Sequence, residues 1–143
     1  MMNLLRFTVL LIMMGMGVGC ESKRPGELQV YSVKGQATFN GEPMAYLVLT
    51  FYPADQPVRS ARVSRAYADA DGRFEVTTYE LNDGMPLGDY NVILWWPEGK
   101  RNPSDLETGD EPDRLKRAYN DPEKSTIQFT VKPETNTFQL KLP

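Results

Sequence analysis

Few side chains in this chain of 143 residues are equipped for covalent or proton-transfer chemistry: there is one cysteine, Cys20, and no histidine. Without an imidazole there is no Ser-His-Asp triad, no histidine general acid or base, and no His-ligated zinc or iron. A single thiol forms no internal disulfide and no multi-cysteine metal site. Two carboxylates can run a hydrolase without histidine, but no acidic pair here stands apart from ordinary surface charge. The sequence therefore assigns no catalytic residue, no cofactor and no metal, and the chain is expected not to be an enzyme.

Three further groups deserve weighing. Asp69 and Asp71 are hard oxygen donors of the kind calcium prefers, yet no run of ligands continues past Gly72, as an EF-hand would require. The plainer reading of Asp69-Ala70-Asp71-Gly72 is a tight hairpin turn. Residues 98–117 form the longest and most charged loop, and long loops on a rigid scaffold often carry function. Lys100, Arg101, Asp105 and Arg114 are its candidate partner contacts, set against the ordinary case of mixed charge in solvent. Trp95 and Trp96 are adjacent, so in a strand they point to opposite faces. Trp96 continues the apolar face of Tyr90, Val92 and Leu94 and is expected in the core. Trp95 shares its face with Asn91 and Ile93, either exposed and able to stack on a sugar or partner, or lying under the long loop.

Cys20 is best understood from what precedes it. An apolar run from Phe7 to Val18, broken only by Thr8 and two glycines, follows the single charge Arg6. Its length of about 12 residues suits the core of an export signal, whereas a membrane-spanning helix needs about 20. Val18-Gly19-Cys20 resembles the lipobox of bacterial lipoproteins, with Gly17 standing where leucine is usual. The resemblance implies cleavage after residue 19 and a thioether-linked diacylglyceryl group on Cys20, with palmitate-type acyl chains. Two or three such chains hold a protein stably where one is marginal. A chance cysteine ending an ordinary secretory signal, or an uncleaved anchor, are the alternatives. The expected location is the bacterial cell envelope. Glu21 differs from the aspartate retention signal of enteric bacteria, which favours the outer over the inner membrane.

Residues 20–27, rich in polar side chains and containing Pro25-Gly26, read as a short tether. Cleavage would take one positive charge from a chain whose formal net charge is already −3. An acidic domain without a basic stripe is not a nucleic-acid binder.

From Leu28 to Pro143 the dominant signal has a period of two. Tyr31 to Phe39, Leu47 to Tyr52, Ser64 to Ala68, Phe74 to Thr78, Tyr90 to Trp96, Thr126 to Lys132 and Thr137 to Leu142 each alternate, and Gly, Pro, Asn and Asp clusters separate them. The stretch around Leu47 to Tyr52 is apolar on both faces and is expected to be central. Asn40-Gly41 and Gly72 mark tight turns, because they reach left-handed conformations at little cost. About seven strands so spaced predict an all-β, seven-stranded antiparallel sandwich of Ig-like or prealbumin-like type, folded as one domain over residues 28–143. Only Asp113 to Tyr119 offers a helical turn.

The order of these features resembles the carboxypeptidase regulatory-like, or transthyretin-like, domain. Val33-Lys34-Gly35-Gln36-Ala37-Thr38-Phe39-Asn40-Gly41-Glu42-Pro43 is similar to its opening, Asp69-Ala70-Asp71-Gly72-Arg73-Phe74 to its Asp-Gly turn, and Gly88-Asp89-Tyr90-Asn91-Val92 to its Gly-x-Tyr-x-Val. Tyr119-Asn120-Asp121-Pro122-Glu123-Lys124-Ser125 is similar to a stretch in small lipoproteins of planctomycete-type bacteria carrying this domain. The resemblance implies a prealbumin-like sandwich without activity. Transthyretin relatives that hydrolyse hydroxyisourate depend on histidines and a C-terminal Tyr-Arg-Gly-Ser, neither of which this chain has. Phe74 and Tyr90 are expected as core anchors, the tyrosine returning its hydroxyl to the backbone. The combined expectation is a non-catalytic, lipid-anchored interaction or assembly module at the envelope, contacting a protein or glycan partner through the 98–117 loop and nearby aromatics. The alternative is a carbohydrate- or small-ligand-binding accessory protein that uses Trp95 and nearby tyrosines.

Overall fold

The computed structural model describes residues 24–98 and 111–143. Cys20, Lys100, Arg101 and Asp105 lie outside the described residues. The described chain is all-β, with ten strands in the order β1 (Val30–Tyr31), β2 (Val33–Phe39), β3 (Glu42–Pro43), β4 (Val48–Pro53), β5 (Ser64–Tyr67), β6 (Arg73–Thr77), β7 (Met85–Pro86), β8 (Gly88–Trp95), β9 (Gln128–Val131) and β10 (Asn136–Leu142). Seven of them form one curled sheet in the order β10-β2-β6-β5-β4-β8-β9, β3 pairs with β2, and β1 and β7 pair in a small separate sheet.

The alternation seen in the sequence becomes the two faces of this sheet. On β5, Ser64 and Ala66 are buried while Arg65 and Tyr67 are exposed, and on β8, Tyr90, Val92 and Leu94 turn inward. The strand expected to be central is β4, flanked by β5 and β8, with Leu49 and Phe51 fully buried. Turn chemistry sets the connections. Asn40 and Gly41 both have positive φ, 52° and 84°, as a two-residue hairpin turn needs, and they return the chain from β2 into β3. Gly72, at φ 73°, turns the chain back into β6.

One expectation is corrected. The sheet is not wholly antiparallel: β10 runs parallel to β2, from Asn136 opposite Val33 to Leu142 opposite Phe39. The cause is the curl, which brings the two ends of the sheet near each other, so a short turn carries the chain from β9 at one end to β10 at the other. Asn136 fixes that turn. Its Oδ1 accepts from the Lys132 N–H, its Nδ2 donates to the carbonyls of Lys132 and Glu134, and its own N–H bonds to the Ser32 carbonyl beside β2. The side chain is buried but fully partnered, as an interior amide must be.

Side chains close the gap between the end strands. The rings of Phe129 on β9 and Phe138 on β10 stack at 4.7 Å, and Phe138 also meets Phe51 and Phe74 edge-on at 6.1 and 6.2 Å. Each buried phenylalanine contributes about 1.5–3 kcal/mol through lost apolar surface. Tyr90 returns its hydroxyl to the backbone as expected, donating to the Pro86 carbonyl four residues upstream at 2.9 Å.

Candidate functional site

Three aspartates tie loops together, the first of them in the hairpin turn expected at Asp69-Ala70-Asp71-Gly72. Asp69 Oδ1 accepts from the backbone N–H groups of Asp71 and Arg73 at 2.8 and 2.9 Å, which makes the Asp69-Gly72 segment a self-capped hairpin turn. Asp83 holds Thr78, Tyr79 and Glu80 by their N–H groups at 2.7–3.0 Å. Asp113 holds Trp96, Leu115 and Arg117 in the same manner at 2.9–3.1 Å. Among the described residues no group of three or more acidic or thiol side chains gathers as a metal site would.

The stretch around Asp113 anchors the far end of the long loop. It forms successive turns rather than a helix, buries Leu115 in the core and bridges Pro97 to Asp113 beside the end of β8. Arg114 is exposed and lays its guanidinium over the Trp96 ring at 5.1 Å. Trp96 is half-buried at the rim of the core, which it was expected to enter. Its indole Nε1 donates to the Ala45 carbonyl at 2.9 Å, and its ring meets Phe39 edge-on at 5.8 Å. The polar indole N–H explains the rim position, since it needs a partner that an apolar core lacks.

Trp95 points to the other face of β8 and is therefore separated from Arg114. It is half-buried and lies opposite Val48 on β4, which in turn lies opposite Tyr67 on β5. Directly opposed side chains in antiparallel strands sit about 5 Å apart, so Trp95, Val48 and Tyr67 make one row across three strands on the outer face, with Val48 buried between the two rings. Tyr67 is 38% exposed.

Beside this row lies an open groove of about 800 Å³. Its floor is the outer face of β5 and β6 with Lys34 of β2, and one wall is the loop held by Asp83, with Leu81 at 85% exposure. Arg65, Tyr67 and Arg73 line it, together with Asp69 and Glu75. Lys34 and Glu75 pair at 2.9 Å, while Arg65 and Arg73 make no side-chain ion pair among the described residues. Sequence reasoning passed over these arginines. The alternation of Ser64 to Ala68 does place Arg65 and Tyr67 outward, but only strand register brings Arg73 beside them.

A second hollow, about 450 Å³, is lined by Leu28, Asp55, Arg62, Tyr79, Leu87 and Tyr90 among others. Arg62 sits over the Tyr79 ring, whose hydroxyl accepts the Leu28 N–H. Burial pushes the Tyr90 hydroxyl up to about 12, with a smaller push from Asp55 and Tyr79. At neutral pH it is a protonated donor with no nucleophilic character.

No family of known proteins, no curated protein and no solved structure matches this chain. Among the described residues no helix is long and apolar enough to cross a membrane.

Proposed function

We propose that this chain is a non-catalytic binding module held at a bacterial envelope membrane, the outer rather than the inner, through acylated Cys20, with a prealbumin-like sandwich over residues 28–143 presenting the binding surface. Support for the anchor comes from the Val18-Gly19-Cys20 sequence after a short apolar run. The observation that carries the binding role is the Trp95-Val48-Tyr67 row on the outer face of a sheet whose inner face already packs the core. Arg114, stacked on Trp96, serves the rim of the fold, so the contact surface is the sheet face more than the anchored end of the loop.

The row also favours a glycan over a protein as partner. The electron-rich face of an aromatic ring attracts the polarised C–H groups of a pyranose, and Tyr67, exposed beside an open groove, leaves room for such a ring. The test has two arms. Intact protein should fractionate with membranes and show an acylated N-terminal Cys20 by mass spectrometry, whereas Cys20→Ser should be released. Binding to isolated envelope polysaccharide should fall in the Trp95→Ala/Tyr67→Ala double variant. A Cys20→Ser protein still held in the membrane removes the anchor, and undiminished binding by the double variant removes the face.

A further inference from the structure

We infer that the groove between β5, β6 and β2 is a site for an acidic polysaccharide, one bearing carboxylate or sulfate groups; this rests on the glycan reading above and gives it a charge requirement. The whole chain carries 19 acidic against 16 basic residues, so a place where cations go unpaired is informative. Arg65 and Arg73 line one groove, and neither guanidinium has an ionic partner among the described residues. Two carboxylates also line the groove and offset part of this charge. Glu75 pairs with Lys34, and Asp69 Oδ1 holds two backbone N–H groups of its own turn. The lining thus carries three cations against two carboxylates, and Arg65 and Arg73 are the cations without an ionic partner among the described residues. A guanidinium grips a carboxylate or sulfate by two parallel hydrogen bonds.

Register gives their spacing. Arg65 lies opposite Thr77, and Arg73 is four residues before Thr77 on β6. The two arginines are therefore offset by about 13 Å along the strands and one strand spacing, about 5 Å, across them. Tyr67 stands two residues beyond Arg65 in the direction of Asp69, whose N–H bonds to the Arg73 carbonyl. Along β5 and just past its end the order is Arg65, Tyr67, Asp69, and along β6 beside it Thr77, Glu75, Arg73. The guanidinium groups therefore stand at the two ends with Tyr67 and Glu75 between them and Asp69 beside Arg73, and Trp95 extends the aromatic side through Val48. A sugar chain with a ring over Tyr67 and acidic groups to either side meets all three. An extended acidic peptide suits the place less well, because β5 and β6 are paired along both edges and offer its backbone no ladder.

The test uses the full chain in detergent, titrated with polygalacturonate, dextran sulfate and uncharged dextran. Binding should be confined to the two anionic polymers and weaken with salt. Arg65→Gln/Arg73→Gln should weaken it by roughly tenfold, as expected of two solvent-facing charge contacts. Lys132→Gln/Lys141→Gln, an equal charge change on exposed lysines elsewhere, should leave it unchanged. Whichever anionic polymer binds more tightly identifies carboxylate or sulfate as the group gripped. Equal binding of dextran, indifferent to the arginine variant, overturns the charge requirement and leaves the glycan reading standing. Anionic binding lost equally in the lysine control also overturns this site. Binding of no polymer overturns both.

Discussion

Replacing Asp113 by alanine removes the acceptor for three backbone N–H groups at once: Oδ1 serves Trp96 and Leu115 at 3.0 and 3.1 Å, and Oδ2 serves Arg117 at 2.9 Å. A hydrogen bond to a charged group contributes about 1.5–3 kcal/mol when well buried. Asp113 is half-buried, so each is discounted to about 1 kcal/mol and the loss comes to about 3 kcal/mol. The backbone adds to the consequence. Lys116 and Arg117 sit at φ 51° and 61°, a conformation that side chains with a Cβ adopt at a cost, and the carboxylate bond to Arg117 helps hold them there. Asparagine keeps the Oδ1 acceptor but presents an amide donor toward Arg117, so it should lose only about 1 kcal/mol. Urea unfolding should rank wild type above Asp113→Asn above Asp113→Ala, with the alanine variant melting roughly 10 °C lower. Loosening this segment should also free Arg114 from Trp96 and change the indole emission at concentrations of urea well below the transition. An alanine variant within about 0.5 kcal/mol of wild type, or an asparagine variant as damaged as alanine, would refute the capping role.

Other outcomes follow from the packing. A tyrosine ionises near 10 when unfolded, and Tyr90 is raised to about 12 by burial, so its contribution is intact below pH 10 and is lost as pH climbs toward 12, about 3 kcal/mol in all. Ultraviolet titration of the folded chain should show one late tyrosine that disappears in Tyr90→Phe; titration of Tyr90 with the other tyrosines would contradict this. At Gly35 a Cβ would run into the Phe138 carbonyl and the edge of the Phe74 ring, so Gly35→Ala should destabilise by about 1–3 kcal/mol in chemical denaturation. Phe138→Ala should cost about 3–5 kcal/mol, because it removes the ring that touches Phe51, Phe74 and Phe129 across the closing edge. Phe129→Ala, at a half-buried position, should cost distinctly less.

How far the fold was legible depends on what period two can encode. Alternation marks which side chains go inward, and β2, β4, β5, β6, β8, β9 and β10 all fall where it placed them. Direction is another matter: parallel and antiparallel neighbours share the same period, so nothing in Thr137 to Leu142 announces that β10 runs alongside β2. Asn136, the buried amide that directs that turn, reads in sequence as one more polar loop residue. The hairpin turn at Asp69 was legible from its Asp-Gly sequence, but the loop-holding roles of Asp83 and Asp113 were not. An aspartate that caps its own loop and one that awaits a cation are the same residue, and only the N–H groups around Asp83 and Asp113 separate the two uses.

The groove shows the limit most clearly. Arg65 and Tyr67 are visibly outward from Ser64-Arg65-Ala66-Tyr67-Ala68 alone, since small buried residues alternate with large exposed ones. Their joining with Arg73 on β6 and Trp95 on β8 is a consequence of register across four strands, and a shift of one residue would turn each set to the opposite face. The inward residues hold that register: Leu49 against Ala66 and Leu94, and Ala66 against Val76, are all buried, so slipping any strand would expose them. The core thus fixes the arrangement of the outer face. The outward side chains of Arg65, Tyr67 and Arg73 therefore keep their spacing through the packing on the other side of the sheet.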